Sequence, residues 1–277
     1  MEILGVDFTS RPGTRKAITV ARAMLAADTL QVRAVDHLPS FASFEALLRE
    51  PGPWVAGFDF PFGLPREFIA ELGWLDVTTS WAAITAKLAA ISREQLTEHC
   101  RAYCDARPAG SKFAHRAADR LAGSSPSMKW VNPPVVYMLK EGAPRLASAG
   151  VHIPGQHQGD VSLIALEAYP GFLVRSITRA AYKNDQRAKQ TPALAAARRK
   201  IIAALVAGDY PLGIPLKASR SVLAAMQGDA SADTLDAVLC ALQAAWGWQR
   251  RTKFWFAAGD RRAGRLDRDG LATLRAS

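Results

Sequence analysis

Two short apolar runs in this sequence end in the same four-residue pattern. Gly5-Val6-Asp7-Phe8 and Gly57-Phe58-Asp59-Phe60 both place a glycine, an apolar residue, an aspartate and a phenylalanine in that order. Strand-forming residues precede each pattern, so both runs are predicted to be buried strands that end on a carboxylate. The carboxyl ends of neighbouring parallel strands meet at one edge of a sheet, where open sheets bind ligands. The two motifs therefore predict an α/β sheet with Asp7 and Asp59 at one binding edge.

Hydrophobic periodicity predicts the rest of the sheet and its first helix. Five strands are predicted in all, at residues 3–7, 16–23, 30–35, 54–58 and 161–166. A helix over 44–48, with Ser43 as its N-cap, separates the third strand from the fourth and ends before Pro51. Strands that alternate with helices indicate an α/β fold, here a mixed five-stranded sheet flanked by helices.

The chain is predicted to form a single domain, residues 1–277, that contains one inserted subdomain. Residues 67–155 show helical patterns and irregular stretches but no new strand. Apolar residues in this segment are mostly spaced for one face of a helix, which is more typical of a core than of ligand binding. We therefore expect a helical and irregular insertion after the fourth strand, bordering the site.

Asp7 and Asp59 each have a structural explanation as well as a functional one. An isolated carboxylate beside a core is costly unless it is paired, hydrogen-bonded or bound to a cation. Asp7 is compatible with a cap at the junction of strand and turn, together with Thr9 and Ser10. Asp59 is compatible with the same role before the proline-containing loop that follows it. The residue patterns alone leave both explanations open.

Three further acids occur where they would reach the same edge of the sheet. Glu167 ends the fifth strand, directly before Ala168-Tyr169-Pro170-Gly171. Asp233 and Asp236 are three residues apart at the start of an apolar helix, and this spacing places them on one face. A helix N-cap at Asp233, with Asp236 in a capping box, is the structural alternative. Because Asp236 lies between apolar residues, a cap alone does not explain it.

The five acids together indicate a metal site. Carboxylates that converge on one point repel one another unless a divalent cation lies among them. Oxygen ligands without a companion histidine or cysteine favour Mg²⁺ or Mn²⁺ over zinc. Two such ions about 4 Å apart can activate water and stabilise the leaving oxygen of a phosphodiester. The candidate ligands of two Mg²⁺ or Mn²⁺ ions are Asp7, Asp59, Glu167, Asp233 and Asp236.

The charge of the chain favours a nucleic-acid partner, either DNA or RNA. The formal net charge is +10, and a polyanion is attracted to such a protein. Basic residues are frequent in a helical tract over 175–200, where Lys183 is close enough to Glu167 in sequence to reach the same edge. Residues 107–134 combine basic side chains with Trp130, a pattern typical of a groove with a stacking platform. A solvated loop is the commoner explanation of that charge.

The sequence predicts a cytoplasmic protein without a membrane partner. No apolar run reaches the roughly 20 residues that span a bilayer, and the first residues show no secretory signal pattern. Three cysteines, Cys100, Cys104 and Cys240, match no zinc spacing and are expected to be reduced.

Several short segments of the chain resemble a known protein family. They are GVDFTS, GFDFPFGLP, EAYPG, AYK and DTLDAVLCAL. The family is the uncharacterised bacterial and archaeal domain of unknown function 429, described as a group of predicted ribonuclease H-like nucleases. The resemblance implies the ribonuclease H-like fold, with Asp7 at the first-strand aspartate of that superfamily and Asp59 at the acid of its fourth strand. The late Asp233-x-x-Asp236 pattern is similar to the final motif of RuvC-type junction resolvases.

The resemblance also implies roles for individual residues. Asp7 would bridge two metal ions, Asp59 and Asp236 would each complete one, and Asp233 or Glu167 would bind directly or through water. Lys183 is the candidate for contacting the scissile phosphate or its developing charge. RuvC-type enzymes carry a glutamate where this chain has Asp59, and Glu167 has no counterpart among their motifs. Because RuvC-type enzymes act as dimers, a homodimer is compatible with the resemblance.

Two other functions are compatible with parts of the sequence. Actin-like sugar and acetate kinases hold Mg²⁺ and phosphate on a first-strand aspartate loop. The sequence shows neither their second glycine-rich phosphate loop nor their adenosine-binding glycine motif. A catalytically silent module that binds nucleic acid is the other alternative, and the basic tail that runs from Arg250 to Arg268 fits it as well as it fits a nuclease. The predicted function is a metal-dependent nuclease.

Overall fold

One mixed sheet of seven strands organises the part of the chain that the structure describes. The computed structural model describes residues 1–76 and 79–254, so of the predicted basic tail only Arg250 and Arg251 are described. The strands are β1 (Glu2–Asp7), β2 (Ile18–Ala26), β3 (Thr29–Leu38), β4 (Trp54–Phe58), β5 (Val151–His152), β6 (Asp160–Glu167) and β7 (Leu216–Ala218). Their order across the sheet is β5-β6-β4-β1-β2-β3-β7, which places β1 at the centre.

Parallel pairing brings three strand ends to one edge of the sheet. β4 lies parallel to both β1 and β6, so the carboxyl ends of these three strands are neighbours. On the other side, β1, β2 and β3 pair in antiparallel fashion, as a meander. The predicted α/β class and the predicted mixed sheet are confirmed.

The predicted number of five strands is wrong, because the described residues contain two further strands at the edges of the sheet. β5 has two residues and β7 has three, and each pairs with a single neighbour. Runs of that length are too short to show the alternation of polar and apolar residues that identifies a strand. β5 also lies within residues 67–155, which the sequence predicts to be free of strands.

Helices cover both faces of the sheet in the described part of the chain. They are α1 (Phe41–Leu48), α2 (Arg66–Glu71), α3 (Trp81–Ala90), α4 (Arg93–Asp105), α5 (Ala117–Ala122), α6 (Val135–Ser148), α7 (Pro170–Ile177), α8 (Pro192–Ala207), α9 (Arg220–Gly228), α10 (Asp233–Gln249) and α11 (Arg251–Phe254), with a 3-10 turn at Arg187–Lys189. One face packs against α1–α4 and α6, in a core that includes Val6 and Phe58. The other face packs against α7–α10, in a core that includes Ile3 and Val55. None of the described helices combines the length and the apolarity needed to cross a bilayer.

The first helix begins earlier than predicted. Its N-cap is Ser40, whose hydroxyl accepts a hydrogen bond from the backbone N–H of Ser43 at 3.1 Å. Ser43 is the third residue of the helix, and its hydroxyl accepts in turn from the backbone N–H of Ser40 at 3.3 Å. The prediction that Ser43 is the N-cap is wrong. In this capping box a serine occupies both the N-cap position and the third helical position, so the sequence offers two candidate caps.

The described part of residues 67–155 is mostly helical, as its periodicity predicts, and forms most of the layer on one face of the sheet. Apolar residues of α3, α4 and α6 join the core beneath that face rather than forming a separate one. This packing carries α5 and the start of α6 to the edge where β1, β4 and β6 end. The helical segment therefore supplies one wall of the candidate site.

Candidate active site

A cleft of about 940 Å³ opens at the edge where β1, β4 and β6 end. Asp7, Asp59 and Glu167 line it from these strand ends, and Asp233 lines it from the first turn of α10. Asp236 is fully buried on the same helix, near enough to raise the pKa of Asp7. The structure therefore brings all five predicted acids to this region, although their surroundings differ.

Strand register places Asp7 and Asp59 side by side. Gly5 pairs with Gly57 across the parallel ladder of β1 and β4. The backbone N–H of Asp59 donates to the carbonyl oxygen of Val6 at 2.9 Å, which continues the ladder to the aspartates. Since side chains alternate between the two faces of a strand, both carboxylates lie on the face of Gly5 and Gly57. That face is covered by α10.

Helix α10 contacts the two strands at their glycines. A Cβ atom on Gly5 would lie 2.0 Å from the carbonyl oxygen of Ala237, and one on Gly57 would lie 2.4 Å from that of Cys240. The absence of a side chain at each glycine lets this helix approach the strand backbones closely. The close contact sets the depth at which Asp236 meets the strand ends.

Asp7 and Asp59 are acids without a partner. Neither side chain makes a hydrogen bond or an ion pair with any described residue, so the alternative of a strand-end cap has no support there. Asp7 is only 8% exposed, and burial, followed by the carboxylates of Asp236 and Asp59, raises its pKa well above the ordinary value. Burial and then Asp236 raise the pKa of Asp59 to about 7. A bound cation would stabilise both groups in their charged form.

Asp236 is held by two neighbours from one segment. It accepts a hydrogen bond from the hydroxyl of Tyr182 at 2.7 Å and forms an ion pair with the ammonium of Lys183. Burial raises the pKa of Asp236, and the lysine opposes that shift. Burial alone would lower the pKa of Lys183, but the pairing with Asp236 outweighs it and the pKa is raised. Lys183 therefore stays charged beside a buried acid, as its predicted role requires.

Asp233 is the first residue of α10 and is not its N-cap. The N-cap is Ala232, and the carboxylate of Asp229 accepts from the backbone N–H of Thr234 at 2.9 Å. Asp233 instead pairs with the ammonium of Lys16, in the loop between β1 and β2, at 2.5 Å. The alternative interpretation of Asp233 as a helix cap is therefore wrong, and its carboxylate faces the cleft as part of an ion pair.

Glu167 belongs to a separate cluster of charges. It pairs across the sheet with Phe58, one position before Asp59, so the pleat turns its side chain to the opposite face. There its oxygens accept from the guanidinium of Arg116 at 2.6 and 2.8 Å. A backbone N–H of the loop after β4 donates to it at 2.9 Å. Arg116 also binds the buried carboxylate of Asp119 at 2.7 Å.

The donor set fits a divalent cation through Asp7 and Asp59. Within residues 1–76 and 79–254, no three acidic, histidine or cysteine side chains are grouped as a ready-made metal site. Two unpaired carboxylates are in place, whereas Asp236 is paired with Lys183. Carboxylate oxygens without nitrogen or sulfur donors suit Mg²⁺ or Mn²⁺. Asp236 can serve as a third carboxylate ligand only when its ion pair with Lys183 is broken.

Two of the three cations that neutralise acids of the site, Lys16 and Arg116, are not among the residues predicted from the sequence. Lys16 and Asp233 are 217 positions apart, and Arg116 and Glu167 are 51 apart, so no local pattern links them. Tyr182 belongs to the AYK segment that the sequence places near this edge, but its hydrogen bond to Asp236 is not predicted.

The predicted aromatic residue, Trp130, does not line the cleft. Trp130 is partly buried, and its ring centroid lies 5.6 Å from that of Phe113. It is not among the described residues that line the cleft, so its predicted role as a stacking platform there is not supported. Tyr169 and Leu121 line the cleft instead.

Comparison with known proteins gives a match to one family model. The model described as "Protein of unknown function (DUF429)" matches residues 5–258. No curated protein and no solved structure matches the chain. The matched range includes every acid and every cation of the cleft described above.

Proposed function

The chain belongs to the DUF429 family, a family of unknown function, and on that premise we propose that it is a divalent-metal-dependent nuclease. It would hydrolyse phosphodiester bonds of nucleic acid in the cleft at the ends of β1, β4 and β6. The observation that carries the proposal is the pair of adjacent carboxylates of Asp7 and Asp59, which have no side-chain partner among the described residues. Buried acids that lack a cation from the protein are stabilised by one from solution.

The proposal includes a ribonuclease H-like assignment for the five central strands of the sheet. The meander of β1, β2 and β3 is followed by α1, and β4 and β6 then join β1 in parallel. Acids at the ends of β1 and β4 and on a late helix support the assignment. β5 and β7 would then be extensions at the two edges.

Asp7 and Asp59 are the residues that would hold the metal, with Asp236 as the third ligand. When bound there, divalent ions would supply an activated water and stabilisation of the leaving oxygen. Asp7 lies near both of the other acids, since each of them raises its pKa. Glu167 is left out of this ligand set, since the guanidinium of Arg116 occupies both of its oxygens.

Lys183 would have two partners in turn. Before the substrate binds, its ammonium neutralises the buried carboxylate of Asp236. A phosphodiester in the cleft offers the ammonium a second anion, and the transfer of the lysine to it would release Asp236 for the cation. Asp233 is paired with Lys16 at 2.5 Å and would bind the metal through a water molecule.

DNA or RNA is the proposed partner, and the cytoplasm is the proposed location. The net charge of +10 attracts a polyanion to the protein as a whole. The three cysteines are buried free thiols, which suits a reducing compartment.

Binding of Mn²⁺ tests the metal site without any choice of substrate. Electron paramagnetic resonance measures free Mn²⁺ while the protein is titrated. Asp7→Asn and Asp59→Asn are expected to lose the bound ion that the parent protein retains, because each removes one of the two unpaired ligands. The matched control is Asp105→Asn, which changes an exposed acid on α4 outside the cleft and should bind as the parent does. Equal Mn²⁺ binding by all four proteins would contradict the proposed metal site.

Cleavage of labelled single-stranded DNA and RNA with Mg²⁺ or Mn²⁺ tests the reaction itself. Asp7→Asn and Asp236→Asn should abolish cleavage while circular dichroism shows an unchanged fold. Full cleavage activity in either folded variant would contradict the proposed mechanism. Binding of the strand by the parent protein without turnover under any divalent ion would favour a silent binding module.

A further inference from the structure

The described side chains that line the cleft carry more negative than positive charge. Its acids are Asp7, Asp59, Asp119, Glu167, Asp185 and Asp233. Its cations are Lys16, Arg116 and Lys183, and each of them is already in an ion pair with an acid. A nucleic acid therefore meets few free cations in the cleft that could hold its phosphates. Beyond the proposed metal ions and Lys183, a substrate in the cleft would then be held by groups that recognise something other than charge.

Tyr169 is an aromatic residue that is held rigidly at the cleft. Its backbone N–H donates to the side-chain oxygen of Gln243 at 2.7 Å, and its carbonyl oxygen accepts from the side-chain nitrogen at 2.9 Å. Gln243 is buried on α10, so this double hydrogen bond fixes the residue against the helix that carries Asp236. The guanidinium of Arg175 lies 5.3 Å from the centre of the ring. The ring itself is only half-buried.

An exposed aliphatic side chain also lines this cleft. Leu121, on α5, is 63% exposed although it is large and apolar. Ala118 and Pro133 are further apolar residues of the cleft lining. The carbonyl oxygen of Ala122 accepts a hydrogen bond from Arg175, which ties the end of α5 to the helix after Tyr169. A cleft that combines apolar lining residues with a few polar groups is typical of a ligand site.

We infer that Tyr169 and Leu121 bind an unpaired base of the substrate, next to the acids at Asp7 and Asp59. The inference rests on the proposed nuclease function. A base can stack on an aromatic ring only when it is not stacked and paired within a duplex, and such stacking does not depend on sequence. The cleft, at about 940 Å³, is near the upper limit for small-molecule pockets, which suits a strand end better than a duplex. The substrate class is therefore single-stranded nucleic acid.

Binding of three labelled ligands to the full chain tests this inference. They are a thymidine strand of about ten nucleotides, an abasic strand of the same length and a duplex of the same length. Fluorescence anisotropy is measured with Ca²⁺ in place of Mg²⁺, to limit cleavage. The parent protein should bind the thymidine strand more tightly than the other two. Tyr169→Ala should weaken binding of the thymidine strand by roughly 5- to 150-fold and leave the abasic strand unchanged.

Two more variants separate stacking from a general loss of structure. Tyr169→Phe keeps the ring and should retain the preference for the thymidine strand. Leu121→Ser should reduce that preference. The matched control is Val161→Ser, which changes a side chain that is 72% exposed on β6 and outside the cleft, and it should leave all three affinities unchanged.

The outcomes distinguish this inference from the proposed function. If the parent protein binds the abasic strand or the duplex as tightly as the thymidine strand, or binds none of them, the base site is overturned. An equal loss of all affinities in Tyr169→Ala overturns it as well, even if Asp7→Asn abolishes cleavage. If the base preference depends on Tyr169 but no divalent ion supports cleavage, the nuclease proposal fails and the base site stands.

Discussion

Gly5 on β1 lies directly against the carbonyl oxygen of Ala237 on α10. A Cβ atom on the glycine would come within 2.0 Å of that oxygen, which is closer than any real side chain allows. The residue before Ala237 is Asp236, and Asp7 is on the same face of the strand as Gly5. One glycine thus determines how near the helix acid comes to the strand acid.

Gly5→Ala should therefore destabilise the fold and weaken metal binding together. We expect a loss of about 1–3 kcal/mol in the free energy of unfolding, because the methyl group meets backbone that cannot rotate away. Urea unfolding measures the loss, and a Mn²⁺ titration should show weaker binding as Asp236 moves with its helix. Gly13→Ala is the control, since a Cβ there meets nothing within 4 Å. Equal stability of the two variants would contradict the argument.

Asp59→Asn should stabilise the metal-free protein at high pH. The pKa of Asp59 is raised to about 7 in the folded protein from 3.8, so the folded state binds this proton more tightly than the unfolded chain does. The stability that protonation contributes is complete below about pH 4 and is lost as the pH rises through about 7. Asparagine carries no charge and avoids this loss.

Calorimetry without metal should show a higher melting temperature for Asp59→Asn than for the parent protein at about pH 8, with a smaller difference at about pH 4. Added Mn²⁺ should raise the melting temperature of the parent protein more than that of the variant, because the variant lacks a ligand. A variant that melts below the parent protein at the higher pH in chelator would contradict the prediction.

Whether the sequence correctly predicts that an acid reaches the site depends on the register of its strand. The matching glycines of the two motifs, Gly5 and Gly57, are register partners, so the acids that follow them are neighbours as predicted. Glu167 also ends an apolar strand, but it pairs with Phe58 and so faces away. A shift of one residue reverses the face of every side chain, and nothing in a single sequence specifies it. The ion pairs of Lys16 and Arg116 depend on tertiary contacts in the same way.

Arg116→Met should destabilise the protein by about 3–5 kcal/mol without removing the metal site. The substitution leaves the carboxylates of Glu167 and Asp119 without their shared cation, in a place where Asp119 is fully buried. Urea unfolding measures the loss, with Arg120→Met, an exposed arginine of the same segment, as the control. Mn²⁺ binding by the folded variant should equal that of the parent protein. Tighter Mn²⁺ binding by the folded variant than by the parent protein would return Glu167 to the ligand set, because the substitution frees both of its oxygens.

The effects of Lys183→Met and Asp236→Asn on the free energy of unfolding should be strongly non-additive. Lys183→Met leaves the buried acid with the hydroxyl of Tyr182 as its hydrogen-bond donor. Breaking a fully buried pair costs ~3–5 kcal/mol in the free energy of unfolding. We expect a somewhat smaller loss here, because the Lys183 side chain is 45% exposed. Adding Asp236→Asn removes the stranded charge, so the double variant should recover part of that loss in urea unfolding. Lys183→Met alone should bind Mn²⁺ at least as tightly as the parent protein, since its acid is released, yet fail to cleave nucleic acid. Additive unfolding energies, or weaker Mn²⁺ binding in Lys183→Met, would show that the lysine does not exchange the acid for the phosphate.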